Sequence, residues 1–129
     1  MPGQAFPVIY SADVERSAAF YAALLDFKEL FRYPPEGAAG YVGLRRGDDR
    51  LGVVAAGWSE ERLGIAVGSG PRFELYTYVD VVDDALAAAR AAGAPVLREA
   101  EDMPWGERVA VVADPDSNPV ALAASAEGA

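Results

Sequence analysis

Apolar and polar positions along this chain follow two different periods, and the periods change in the same order twice. Phe6 to Tyr10 is a short apolar segment rich in strand formers. Asp13 follows and can cap a helix. Val14, Ala18, Phe20, Tyr21, Leu24 and Leu25 then recur at helical spacing, with Glu15 and Arg16 on the other face. This predicts a helix ending near Asp26. Strands are predicted at Lys28 to Tyr33, Tyr41 to Arg46 and Leu51 to Ala56. Pro34-Pro35-Glu36-Gly37 separates the first two, and Gly47-Asp48-Asp49 is a hairpin turn between the next two.

Gly57 to Arg72 shows no strand alternation and contains Gly-Ser-Gly at 68–70 and Pro71. It reads as a connector in which Ser59 to Leu63 can form a helical turn. The earlier order then returns. Phe73 to Val79 is a strand, Val82 to Ala92 an Ala-rich helix, and Gly93 stands where a helix C-terminus favours glycine. Strands follow at Pro95 to Glu99, Glu107 to Ala113 and Pro119 to Ala124, the last two joined by Asp114-Pro115-Asp116-Ser117-Asn118. An offset of 68 residues superposes Phe6 on Glu74, Val8 on Tyr76, Tyr10 on Tyr78 and Val14 on Val82. Duplication is the simplest account of that register.

The predicted fold is α+β. Modules 5–56 and 73–124, joined by connector 57–72, are paired βαβββ units forming a curved mixed sheet around a cleft. Helices cover one face of each half-sheet, so alternation assigns the other face to the cleft. Leu75, Thr77 and Val79 suit the helix side. Glu74, Tyr76 and Tyr78 fall on the other, as do Phe6, Val8 and Tyr10 in the first half, with Gly52, Val54 and Ala56. In the last strand Val120 and Leu122 face the helix, and Ala121 and Ala123 the cleft. Small residues at 52, 121 and 123 are expected to leave room for a flat ligand. Trp58 and Trp105 are both expected in loops. The Trp105 loop is stiffened by Pro104 and Gly106, and a loop tryptophan offers a stacking surface. Tyr41 is a further candidate, alongside Phe31 and Tyr33, which core packing explains equally well.

Composition narrows the chemistry. The 129 residues are 52% apolar, enough for a folded core. No apolar run reaches the roughly 20 residues that span a bilayer, and no signal peptide is evident, so a cytoplasmic protein is expected. The net charge is −9 with no basic cluster, which makes nucleic acid a poor partner. That charge can draw in cationic ligands, or simply keep the protein soluble. Cysteine is absent, so thiolate nucleophiles and disulfides are excluded. Histidine is also absent, which excludes a Ser-His-Asp triad and any His-ligated metal.

Three stretches carry a family resemblance. They are Asp13-Val14-Glu15-Arg16-Ser17-Ala18-Ala19-Phe20-Tyr21 leading to Leu25-Asp26-Phe27, then Pro104-Trp105-Gly106-Glu107-Arg108, then Asp114-Pro115-Asp116-Ser117-Asn118-Pro119-Val120-Ala121-Leu122. With the paired βαβββ order, the chain resembles the vicinal oxygen chelate superfamily, which includes glyoxalase I, extradiol dioxygenases, and fosfomycin and bleomycin resistance proteins. The resemblance implies metal ligands at Phe6, about Gly52, Glu74 and Ala121, of which only Glu74 could bind an ion. One carboxylate cannot hold a catalytic divalent metal, so no metal or other cofactor is expected. The chain is then similar to the antibiotic-sequestering members, which bind bleomycin, mitomycin or enediynes. That similarity implies a homodimer with paired clefts around an aromatic small-molecule ligand. The expected ligand-binding residues are Phe6, Tyr10, Tyr41, Trp58, Glu74, Tyr76, Tyr78, Trp105 and Arg108, with Glu74 or Arg108 orienting the ligand. Two other readings stand beside this one. A metal-independent isomerase, cyclase or hydrolase would use Glu74 as general base. A scaffold module would meet a basic protein and close the cleft with its own side chains.

Overall fold

A computed structural model describes residues 5–64, 66–68 and 70–126, leaving aside the Ser59 side chain. The described chain forms two compact units that divide between Val67 and Gly68. Each holds an open four-stranded mixed sheet with the same connectivity.

The first unit comprises β1 (Val8–Ser11), α1 (Val14–Leu25), β2 (Lys28–Tyr33), β3 (Tyr41–Arg46), β4 (Asp49–Ala55) and α2 (Ala56–Leu63). Its strand order is β1-β4-β3-β2, with β1 parallel to β4 and the remaining pairs antiparallel. Asp13 caps α1, its carboxylate accepting from the Arg16 N–H at 3.1 Å. Asp26 ends that helix in the left-handed region. Tyr21, Val42, Leu44, Leu51 and Val53 are almost wholly buried between α1 and the sheet. Each buried Val or Leu contributes roughly 1.5–3 kcal/mol. On that side Arg32 joins Glu15 of α1 to Glu29, at 3.0 and 2.9 Å. The Ala39 N–H donates to Glu15 as well.

The second unit comprises β5 (Leu75–Tyr78), α3 (Val82–Ala91), β6 (Val96–Asp102), β7 (Glu107–Ala113) and β8 (Pro119–Ser125), in the order β5-β8-β7-β6. Here too the first and last strands run parallel. Val14 and Val82, which the 68-residue offset superposes, each begin a helix. Val82, Leu86 and Ala89 of α3 are buried, as are Val112, Val120 and Leu122 of the sheet.

Three expectations change. Trp58 does not lie in a loop. It sits in α2, two turns of helix where one was expected. Ala55 provides no side-chain cap and Gly57 is a poor helix former, so the helix start is silent in the sequence. Strand β6 runs on to Asp102 through two register shifts, because bulges admit a charged run that breaks strict alternation. Phe6 precedes β1 instead of lying in it. In the connector, Ile65 and the Ser69 of Gly-Ser-Gly lie outside the described residues. No helix among the described residues is long and apolar enough to cross a membrane.

Candidate functional site

In the second unit, register places Tyr76 opposite Ala121 and Ala121 opposite Val111. Tyr78 likewise lies beside Ala123, and Ala123 beside Val109. These residues share the face turned away from α3. Two residues before Val109 on β7, alternation brings Glu107 to the same face. Strands β5 and β7 are separated by β8, a gap of roughly 10 Å between backbones. A tyrosine can reach across it only because β8 presents alanines there. The Tyr76 hydroxyl does so, donating to Glu107 Oε1 at 2.6 Å. The Trp105 indole N–H donates to the same oxygen at 3.1 Å. Tyr78 is the second phenol that acts on this carboxylate, and its ring stands 5.7 Å from that of Tyr76 at 64°. The three rings are 41%, 58% and 63% exposed at Tyr76, Tyr78 and Trp105.

The electrostatics follow from those bonds. The Tyr76 hydroxyl, then that of Tyr78, hold the Glu107 carboxyl below the usual carboxylate range. Reciprocally, Glu107 pushes both phenols up. None of the ion pairs among the described residues involves Glu107. Arg98, which shares its face by register with Val111, is paired with Glu101.

The ligand candidates from the sequence divide clearly. The structure brings Tyr76, Tyr78 and Trp105 together. Glu74 is exposed and precedes β5 by one residue. Arg108 faces the other way, as alternation next to Glu107 requires. It pairs with Asp83 of α3 and with Asp102, each at 3.1 Å, and so orients nothing on the tyrosine face. In the first unit, Tyr10 and Tyr41 both lie beside Val54 on the face away from α1. Phe6 is exposed just ahead of that strand. Tyr41 lies over Gly52, where an added Cβ would come within 2.7 Å of the phenol oxygen. Trp58 occupies the space a Cβ on Gly40 would need, and stacks edge-on to Tyr33 at 6.1 Å.

Two corrections result. The small residues do not leave empty room. Tyr41 fills the space over Gly52, and Ala121 and Ala123 are packed with Val109, Met103 and Val111. The carboxylate at the centre of the aromatic group is Glu107, which the sequence reading does not single out. Its signal was present in the β7 alternation Glu107, Val109, Val111, but reading it required the β7–β8 register.

The sequence and the fold both match a known family. The model of the Glyoxalase/Bleomycin resistance protein/Dioxygenase superfamily matches residues 3–122. The chain belongs to that superfamily. Solved structures with the same fold include the hypothetical protein SA1046 from S. aureus, at 22% identity and TM-score 0.80, covering 95% of this chain and 94% of that one. A glyoxalase-related enzyme from Fulvimarina pelagi shares 26% identity over 95% of this chain and 88% of its own, with TM-score 0.78. Lactoylglutathione lyase from Agrobacterium tumefaciens shares 19% identity over 95% and 94%, with TM-score 0.72. No curated protein matches the sequence. The superfamily contains metal enzymes, and the resemblance puts their ligand positions at Phe6, Gly52, Glu74 and Ala121. Three of these four side chains have no donor atom, so the set does not fit a divalent ion. Among the described residues no three His, Cys, Asp or Glu side chains are grouped to hold one.

Proposed function

We propose that this superfamily member binds and sequesters an aromatic or polycyclic small-molecule natural product without consuming it, as antibiotic self-resistance requires. One observation carries the reading: three largely exposed aromatic side chains are anchored to a single carboxylate on a sheet face. Exposed rings gain by being covered, and rings already held in place lose little rotamer freedom when a flat ligand stacks on them. Glu107 is a poor general base here, because its donors stabilise the ionised form and lower its basicity. That favours binding over turnover at this face. The protein is further proposed to be a homodimer with one such site per protomer, as closed symmetry would give.

Titration of the intact protein with bleomycin, mitomycin and enediyne-type chromophores, read by tryptophan fluorescence, tests the proposal. Saturable quenching is expected for at least one compound, with the compound recovered unaltered after long incubation. Trp105→Leu should weaken that binding about tenfold, measured by equilibrium dialysis. Flat titrations across the panel at micromolar protein, or recovery of a converted product, would overturn it. The packing around Ala121 and Ala123 favours a second reading, in which the same rings meet a protein surface. Size measurement by light scattering separates the two. Under the second reading, Trp105→Leu changes the oligomeric state and no panel compound binds.

A further inference from the structure

The site has a sign as well as a shape. Glu107 Oε1 has two lone pairs, and Tyr76 and Trp105 take both. Those bonds are made by neutral groups, so they fix the carboxylate without cancelling its charge. The arginines of β6 and β7 are committed elsewhere. Arg98 goes to Glu101, and Arg108 goes to Asp83 and Asp102 on the opposite face. The two tyrosine rings meet edge to face at 64°, and both side chains stay exposed beside a net negative charge. A cation is attracted both to a carboxylate and to the face of an aromatic ring, and ring faces bind cations more strongly as they shed water. The chain as a whole, at −9, raises the local concentration of positive ligands.

Resting on the binding function proposed above, we infer that the ligand is a flat aromatic cation, its ammonium-type nitrogen seated against Glu107 in the corner formed by Tyr76, Tyr78 and Trp105. An aromatic anion is repelled by the same carboxylate. A neutral aromatic stacks on the rings and gains nothing from the charge.

Equilibrium dialysis with N-methylacridinium and with acridine, at pH 8 and low salt, isolates the charge. The two dyes have the same plane, and only the first is positive at that pH. N-methylacridinium is expected to bind about tenfold more tightly. In Glu107→Gln, which keeps an oxygen to accept from Tyr76 and Trp105, the preference should fall to near one while acridine affinity stays within about twofold. Glu36→Gln removes the same charge from an exposed position in the other unit and should leave the preference intact. Should the Gln variant bind neither dye, Glu107→Asp decides: a retained cation preference supports the inference and its loss overturns it. Equal binding of both dyes by the intact protein overturns the inference and leaves the binding function standing. A preference that survives in Glu107→Gln also overturns it, because bulk charge then suffices. If neither dye binds, the inference falls, and the drug titrations decide the binding function.

Discussion

In the first unit the ring of Tyr41 lies across Gly52, and the indole of Trp58 fills the place of a side chain at Gly40. In the second, Tyr76, Tyr78 and Trp105 converge on Glu107. The strand order is the same and aromatic residues are plentiful in both. The difference lies in what stands next to the rings. Beside a glycine, an aromatic side chain takes the space of a missing Cβ, as half-buried Tyr41 does over Gly52 and as Trp58, itself still 43% exposed, does at Gly40. Beside a carboxylate with no cationic partner, rings are oriented but left exposed. Counting aromatic residues on a strand therefore does not distinguish the two arrangements, whereas the neighbouring position does.

The contrast extends to the hairpins, where the largest effect is expected. In the first unit β3 and β4 turn through Gly47-Asp48, an exposed pair with positive φ at Gly47. In the second, the buried Asp114 carboxylate accepts from the N–H groups of Asp116 and Asn118 at 2.9 and 2.8 Å, and from the Asn118 amide at 3.0 Å. Asn118 Oδ1 in turn accepts from the Arg72 N–H. Asp114→Ala strands these donors away from water and should cost about 2–4 kcal/mol in urea unfolding. Asp48→Ala should change stability by less than about 0.5 kcal/mol. Equal effects of the two substitutions would mean that the buried knot is not what closes the second sheet.

The next effect tests the packing assignment of the first unit. In Gly40→Ala the new methyl overlaps the Trp58 ring, which must swing aside. A loss of about 1–3 kcal/mol and a red-shifted tryptophan emission are expected. Gly43→Ala places its methyl at an ordinary 3.6 Å from the Tyr41 ring, so it should be neutral or slightly stabilising. If Gly40→Ala left both stability and emission unchanged, Trp58 would be a mobile surface residue and a ligand contact again.

Much of the fold was legible before any coordinates. The α1 boundaries, strands β2, β3 and β7, the Asp13 cap and the repeated order all follow from periodicity and turn residues, because each depends on neighbours within a few positions. What escaped reading depends on partners far along the chain. The start of α2 has no capping residue, and β6 continues through bulges that no local pattern marks. The site was half legible. Alternation placed Tyr76 and Tyr78 on one face, and Pro104 and Gly106 drew attention to Trp105. Of Glu107 and Arg108, adjacent in sequence, only Arg108 is among the candidates that the sequence offers. The sequence motif made Arg108 conspicuous, but only the β7 register sends it to Asp83 on α3 and leaves Glu107 with the tyrosines.

The smallest effect is on proton affinity, and it probes the other side of the contrast. Glu107 has a folded-state pKa below its unfolded value, first because of the Tyr76 hydroxyl and then that of Tyr78. Its contribution to stability is therefore fully present above the ordinary carboxylate range. It is lost as pH falls through the lowered folded value. Tyr76 and Tyr78 shift upward, so their contribution is present below the ordinary phenol range and is lost as pH rises through the raised values. In a Trp58→Phe background, Trp105 emission should titrate with a midpoint beneath that of an ordinary glutamate, since the indole N–H reports directly on Glu107. Phenolate absorbance should show a high-pH group of tyrosines that moves back toward the ordinary range in Glu107→Gln, where the carboxylate charge is gone. Phenols that titrate identically with and without Glu107 would mean that the rings stand near the carboxylate without being held by it, and the distinction between packed and poised aromatics would dissolve.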